Sequence, residues 1–236
     1  MVAPQDACAR LHEFLDQLPL YDADINLSLL PKSSGIYYFY EKTSSNWEPS
    51  AHAENAKGIV RIGISGGARA RVSDHYHGVI PIDTISLDRF CPKDRSIMRK
   101  HIGRALLRRP GHPHANYLRI WNVDMTTPAK RKIYQHLRDI NVERAIEREV
   151  SNVMARNFLF RCVPCNSDAE ADNLETSGIG IVSSCPVCYR SSGWLGGWHP
   201  HPVVSKGKLW NLKKVTAVYA GPLRLTLLAE RIQKSL

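Results

Sequence analysis

The chain has 236 residues, of which 43% are hydrophobic and 23% are charged, a balance typical of a globular protein with one substantial core or two small ones. Its net charge of +10 favours a polyanionic partner, because a basic surface attracts a phosphate backbone and releases its counterions. Six cysteines are too few for a disulfide scaffold, and no apolar stretch approaches the ~20 residues of a membrane span. Because the N-terminus also lacks a signal-peptide pattern, we expect a soluble, cytoplasmic protein with no membrane partner.

The first predicted elements are a helix and a strand hairpin. Residues 7–18 have apolar side chains at helical spacing. An aromatic strand follows at 35–40 and a second strand at 58–64. The segment between them, 41–57, lacks apolar periodicity and reads as a long hairpin loop. The two strands should therefore pair antiparallel.

Polar side chains are expected to meet beside this hairpin. Alternation along the first strand sends Tyr37 to one face of the sheet and Tyr38 to the other. After a glycine-rich break, residues 68–75 are compatible with a helix. Arg71 and His75 are four residues apart, so they share one face of that helix.

The middle of the chain predicts further helices and two strands. Apolar spacing predicts helices at 94–109, 127–140 and 145–154, and strands at 116–123 and 157–163. The second of these helices begins with Thr127 as N-cap and Pro128 at the first helical position. Within and just before the last of these helices, Glu143, Glu147 and Glu149 alternate with arginines, and paired surface charge explains them. The first helix is basic, and a basic patch precedes a final helix at 222–236. The residues expected to contact the phosphate backbone of a nucleic acid are Arg95, Arg99, Arg108, Lys208 and Lys213.

Two Cys-x-x-Cys pairs stand near the C-terminal third of the chain: Cys162 with Cys165, and Cys185 with Cys188. Their spacing matches the ligands of a structural zinc site, in which four thiolates close a tetrahedron. The alternative is four reduced, partly buried thiols.

The segment between these pairs, 169–182, has apolar spacing that predicts a helix against the sheet. It carries three carboxylates. These are Glu170, Asp172 and Glu175.

Together these motifs resemble the GIY-YIG nuclease superfamily. Gly35-Ile36-Tyr37 matches the first triplet of its name, and Arg61-Ile62-Gly63 stands at the second, with Arg61 in place of the usual tyrosine. Arg71 with His75 resembles the helical Arg and the His of the restriction-enzyme branch. Glu175 falls at the position of the metal-binding Glu, and Glu170 and Asp172 are the rival carboxylates. Many relatives have an Asn near residues 192–196. This chain has none there, and Asn211 is a distant substitute.

The resemblance implies an α+β fold, with a small antiparallel sheet flanked by helices. It implies one domain, 1–236, with a central helical insertion at about 94–155 and a basic C-terminal extension. It further implies a Mg²⁺-dependent endonuclease acting on double-stranded DNA, of the type II restriction kind and homodimeric, because one such site cuts one strand. The catalytic residues would be Tyr37, Arg61, Arg71, His75 and Glu175, with Glu175 holding Mg²⁺. The alternative is a zinc-stabilised nucleic-acid-binding protein whose catalytic centre has decayed.

Overall fold

The computed structural model describes residues 3–42, 58–78, 80–188, 190, 193–217 and 223–234. Within these residues the chain is α+β, as expected. Most of the predicted hairpin loop, and the ends of the predicted 222–236 helix, lie outside the described residues. The elements in chain order are α1 (Pro4–Asp16), β1 (Gly35–Glu41), β2 (Ile59–Ser65), α2 (Ala68–Tyr76), α3 (Pro92–Arg95), α4 (Ile97–Arg108), α5 (Leu118–Asn122), α6 (Pro128–Tyr134), α7 (Ile140–Asn157), β3 (Phe158–Pro164), α8 (Asp168–Ser184), α9 (Pro202–Ser205) and α10 (Leu223–Gln233).

The chain divides into two compact units. The first consists of Met1–Ala70, Asn157–Trp194 and Gly207–Leu236. The second consists of Arg71–Arg156 and Leu195–Lys206. No helix in the described part of the chain is long and apolar enough to cross a membrane.

The first unit is built on a three-stranded antiparallel sheet in the order β2-β1-β3. The central strand, β1, is buried along its whole length, which suits its run of aromatic and branched side chains. Its even-numbered residues Ile36 and Tyr38 join a core formed with α1, α8 and α10. Its odd-numbered residues Tyr37 and Phe39 lie on the opposite face, where Phe39 packs on Phe160 of β3 with ring centroids 5.6 Å apart.

Both edges of this sheet are covered by irregular segments of the same chain. Along β2, the Trp210 amide donates to the Val60 carbonyl at 2.7 Å. The Asn211 side chain donates to the Ile62 carbonyl at 2.8 Å and accepts from the Ile62 amide at 3.2 Å. Along β3, Tyr21 and Phe160 exchange two main-chain hydrogen bonds of 2.8 and 2.9 Å. These contacts satisfy edge groups that would otherwise be open to pairing.

The second unit is helical, and it corrects one strand prediction. Residues 116–123 form a 3₁₀ turn and α5 instead of a strand. Tyr117 and Trp121 are both buried and four residues apart, which is a helical spacing. Trp121 packs over Gly103 of α4 and donates its indole N–H to the Lys100 carbonyl at 3.0 Å. Packing against α4 therefore explains why residues 116–123 are helical and do not form a strand.

Two long helices predicted from periodicity are interrupted. Ser96 is extended, with φ −126° and ψ 104°, and it separates α3 from α4. Its hydroxyl accepts from the Arg99 amide at 3.2 Å, so it acts as the N-cap of α4. Thr127 caps α6 as expected, accepting from the Lys130 amide at 3.3 Å, but that helix ends at Tyr134.

Candidate functional site

Tyr37 lies over the glycine of the second triplet. The β1–β2 register pairs Tyr37 with Gly63. A Cβ atom on Gly63 would lie 2.5 Å from three atoms of the phenol, including its oxygen. Only glycine leaves room for the ring in this position, and the ring itself is 2% exposed. The two triplets are thus joined by packing as well as by strand pairing.

Arg61 lies on the same face of the sheet, paired in register with Phe39. It is 8% exposed. Its Nη1 donates to the Trp210 carbonyl at 3.3 Å, while its buried Nε has no hydrogen-bond partner among the described residues. A buried guanidinium with an unsatisfied N–H retains a donor for an anion.

Glu175 belongs to a small charged group on α8. Its carboxylate and that of Asp172 each lie 2.6 Å from the Lys214 ammonium. Lys214 holds this position with a left-handed backbone, φ 65°. Burial by itself would lower the pKa of Lys214, but hydrogen bonds to Asp172 and Glu175 raise it above its usual value. Burial raises the pKa of Tyr38 well above its usual value, and the charge of Glu175 adds to that shift.

The rival carboxylate, Glu170, has a structural position. Its Oε2 accepts from the Asn166 amide at 3.0 Å, and its Oε1 is ion-paired with Arg231 of α10. Ser167 caps the same helix by accepting from the Glu170 amide at 3.2 Å. Glu170 therefore secures the start of α8 and the docking of α10.

The donor set around Glu175 fits a hard divalent cation. Two carboxylates already converge on one cationic centre, the Lys214 ammonium, and carboxylate oxygens are the ligands that Mg²⁺ prefers. Asp172 is the residue here that the sequence prediction left as a rival rather than a partner of Glu175.

The second unit holds Arg71 and His75, both on α2. His75 is buried, and its Nδ1 lies 2.7 Å from the Ser96 hydroxyl. Arg71 donates through Nη1 to the Arg95 carbonyl at 2.8 Å. The Ser96 hydroxyl thus both caps α4 and orients the imidazole, a role that the sequence pattern did not reveal.

The prediction that Arg99 contacts DNA is wrong, because its guanidinium is fully buried. It donates from Nε and Nη2 to Glu147 Oε2 at 2.9 and 2.6 Å. Its Nη1 donates to the carbonyls of His75 and Tyr76 at 3.0 and 3.2 Å. Arg99 therefore stabilises the C-terminal end of α2 by binding its last carbonyl groups.

The interpretation of the α7 carboxylates as paired surface charge also needs correction. Glu147 is fully buried against Arg99, and Glu143 is buried against Arg138, with a shortest distance of 2.6 Å. Only Glu149 is partly exposed as expected. Periodicity could not show this, because the arginines that pair with Glu143 and Glu147 lie outside α7.

The other predicted DNA contacts divide into two groups. Arg95, Arg108 and Lys213 are exposed, so their charges are available to a polyanion. Lys208 is half-buried and donates to the carbonyls of Cys185 and Cys188, the latter at 2.9 Å. Its ammonium is committed to the turn between those cysteines.

The cysteines are grouped differently from the prediction. Cys185 and Cys188 lie with Cys8 of α1, and the three Sγ atoms are within 4.8 Å of one another, a group that could hold a metal ion. In the described part of the chain Cys162 and Cys165 are not members of this group. Burial raises the pKa of Cys162 to about 12 and of Cys165 to about 11, so both remain thiols.

A model of the GIY-YIG domain matches residues 9–236. The chain therefore belongs to the GIY-YIG domain family, and membership supports a nuclease with DNA as its substrate. The searches of curated proteins and of solved structures returned no match.

Proposed function

We propose that this protein is a Mg²⁺-dependent endonuclease that hydrolyses double-stranded DNA in the cytoplasm, of the type II restriction kind. The observation that carries the proposal is the seating of Tyr37 over Gly63, which joins the two family triplets on one face of the sheet. The family match extends along nearly the whole chain.

Phosphodiester hydrolysis needs an oriented water, neutralisation of the charge that builds on phosphorus, and a stabilised leaving oxygen. In this proposal the Tyr37 hydroxyl orients the water, and His75, held at Nδ1 by Ser96, assists in removing its proton. Arg71 and Arg61 bind phosphate oxygens through charge-assisted hydrogen bonds.

Glu175, with Asp172 beside it, would hold Mg²⁺. When bound, the ion supplies positive charge that stabilises the leaving oxygen. Lys214 offsets part of the negative charge of these two carboxylates, each of which lies 2.6 Å from its ammonium.

The exposed side chains of Arg95, Arg108 and Lys213 would contact the DNA backbone. Such contacts position the duplex without reading its sequence. Because one centre cuts one strand, cleavage of both strands would use a homodimer.

A second function is favoured by Asn211 and Arg61. Asn211 is committed to the edge of β2 through both polar atoms of its side chain, and Arg61 stands where the second tyrosine is usual. These two departures support a nucleic-acid-binding protein whose catalytic centre has decayed.

Nicking of a supercoiled plasmid in Mg²⁺, with DNA binding measured in Ca²⁺, tests the proposal. Wild-type protein should nick the plasmid, and Glu175→Gln and Tyr37→Phe should each lower the rate by about 100-fold or more while binding is retained. Glu170→Gln and Tyr38→Phe are the matched controls, and both should keep most of the rate. Binding by wild-type protein without any cleavage would support the second function instead.

A further inference from the structure

Three cysteines and one histidine meet in the core of the first unit. Cys8 Sγ and Cys188 Sγ are 3.5 Å apart, and Cys188 Sγ is 3.5 Å from His12 Nε2. Cys185 Sγ lies within 4.8 Å of both other sulfurs. All four residues are buried, none exposed by more than 5%.

The sequence brings these ligands together from two elements. Cys8 and His12 are four residues apart on α1, so they project from the same face of that helix. Cys185 is the C-cap of α8, and Cys188 follows three residues later in a short turn. A helical pair and a turn pair are together the usual four-ligand supply of a structural zinc site.

The two separations at Cys188 match those around a tetrahedral ion. With Zn–S bonds of about 2.3 Å and Zn–N bonds of about 2.0–2.1 Å, tetrahedral angles place two sulfurs about 3.8 Å apart and a sulfur and a nitrogen about 3.5 Å apart. The two 3.5 Å separations at Cys188 are close to these values. A disulfide would require the sulfurs to approach to about 2.05 Å.

The surroundings of the turn favour a charged metal centre. Three thiolates and one Zn²⁺ carry a net charge of −1. The Lys208 ammonium is held at this turn by the carbonyls of Cys185 and Cys188. Gly58 lies against Cys188, and a Cβ there would come within 3.3 Å of the cysteine Cβ and 3.4 Å of its sulfur. Because Gly58 has no side chain, the turn that contains Cys188 can keep its position.

We propose that Cys8, His12, Cys185 and Cys188 bind one structural zinc ion that ties α1 to the end of α8. The four ligands fill the tetrahedron, so the site is closed to substrate. Soft thiolates combined with an imidazole select zinc over the hard cations that suit carboxylates. The site is independent of the proposed nuclease activity.

The test is the metal content of full-length protein purified under reducing conditions. Elemental analysis should return about one zinc per chain, with no iron. Substitution with Co²⁺ should give intense visible absorption, as expected for tetrahedral thiolate coordination. Chelation should lower the midpoint of thermal unfolding, because zinc binds only the folded arrangement.

Variants identify the ligands. Cys162→Ser and Cys165→Ser should keep the full zinc content, whereas Cys8→Ser should lose it. His12→Cys keeps four ligands, so it should retain zinc and shift the Co²⁺ bands as one nitrogen is replaced by sulfur. This variant keeps the test decisive even if Cys8→Ser does not fold. Absence of zinc, a Cys8–Cys188 disulfide in the native protein, or zinc lost in the Cys162 and Cys165 variants would overturn the proposal.

Discussion

The phenol of Tyr37 occupies the space that a side chain at Gly63 would need. This relationship explains in steric terms why a glycine stands at the end of the second triplet, since a Cβ there would lie 2.5 Å from the ring. Tyr37 cannot keep its position unless residue 63 has no side chain.

We therefore expect Gly63→Ala to displace the Tyr37 ring. Overpacking a core of this kind costs roughly 1–3 kcal/mol, and we expect plasmid cleavage to fall at least as far as it does in Tyr37→Phe. Gly67→Ala is the control, because a Cβ at residue 67 meets its nearest neighbour at 3.6 Å, an ordinary contact. Equal activity of the two alanine variants, measured well below their unfolding temperatures, would contradict the expected displacement.

Lys214 should compete with a divalent ion for Asp172 and Glu175. Lys214→Gln removes the ammonium that both carboxylates share, so the Mg²⁺ concentration for half-maximal cleavage should fall by roughly two- to five-fold, the ~0.5–1 kcal/mol of a partly exposed ion pair. Lys132 is exposed and is not among the proposed DNA contacts, so it provides the control Lys132→Gln, which should leave that concentration unchanged. A higher Mg²⁺ requirement in Lys214→Gln would show that the ion is held elsewhere.

The Arg99–Glu147 pair should be a large contributor to stability. Glu147→Gln leaves a guanidinium buried without its counter-charge, and we expect a loss of about 3–5 kcal/mol in the free energy of unfolding. Glu149→Gln removes a partly exposed carboxylate that lies 3.5 Å from Arg109 and 3.0 Å from His112 Nε2. The Gln side chain can keep a hydrogen bond to His112, so this change should cost less than about 1 kcal/mol. Urea unfolding of both variants measures the difference, and similar losses would contradict it.

His199 should make the protein sensitive to mild acid. Burial lowers the pKa of His199 from 6.5 to about 4, and the charges of Arg104 and Arg108 act in the same direction. Its Nε2 lies 2.9 Å from His101 Nδ1, which Arg104 Nη1 also approaches at 3.2 Å.

The unfolded chain takes up this proton near pH 6.5, whereas the folded chain does so only near pH 4. Stability is therefore unaffected above about pH 7 and is lost as the pH falls from about 6.5 to about 4. His199→Gln should flatten this part of the stability–pH curve, measured by thermal unfolding. The exposed His136 gives the control His136→Gln, which should keep the wild-type slope.

The sheet and its flanking helices could be predicted because they depend on local sequence patterns, namely residue type in the strands and apolar spacing in the helices. Aromatic and branched residues filled β1, and the helical spacing of the segment after β3 gave α8 correctly. The strand predicted at 116–123 was wrong because Tyr117 and Trp121 pack on a helical face that only the partner helix reveals. Ser96 could be recognised as an N-cap only after the helix break was known.

The candidate site could be predicted only in part, because several of its residues have partners that are distant in the sequence. Family position made Tyr37 and Glu175 candidates. The shared use of Lys214 by Glu175 and Asp172 could not be predicted, because Lys214 lies 39 residues after the glutamate. Arg99 looked like one more surface arginine, since its burial partner is on α7. The Cys8–His12 spacing on a predicted helix was the available sign of a second ligand pair, and the more familiar Cys-x-x-Cys spacing obscured it.

The covered edges of the sheet constrain how two copies of the chain can associate. Trp210 and Asn211 use the outer main-chain groups of Val60 and Ile62, and Tyr21 uses those of Phe160. A neighbouring molecule cannot add a strand at these positions without first displacing part of the chain itself. At these described positions the edge hydrogen-bonding groups are already used, so the chain itself protects them from intermolecular strand addition.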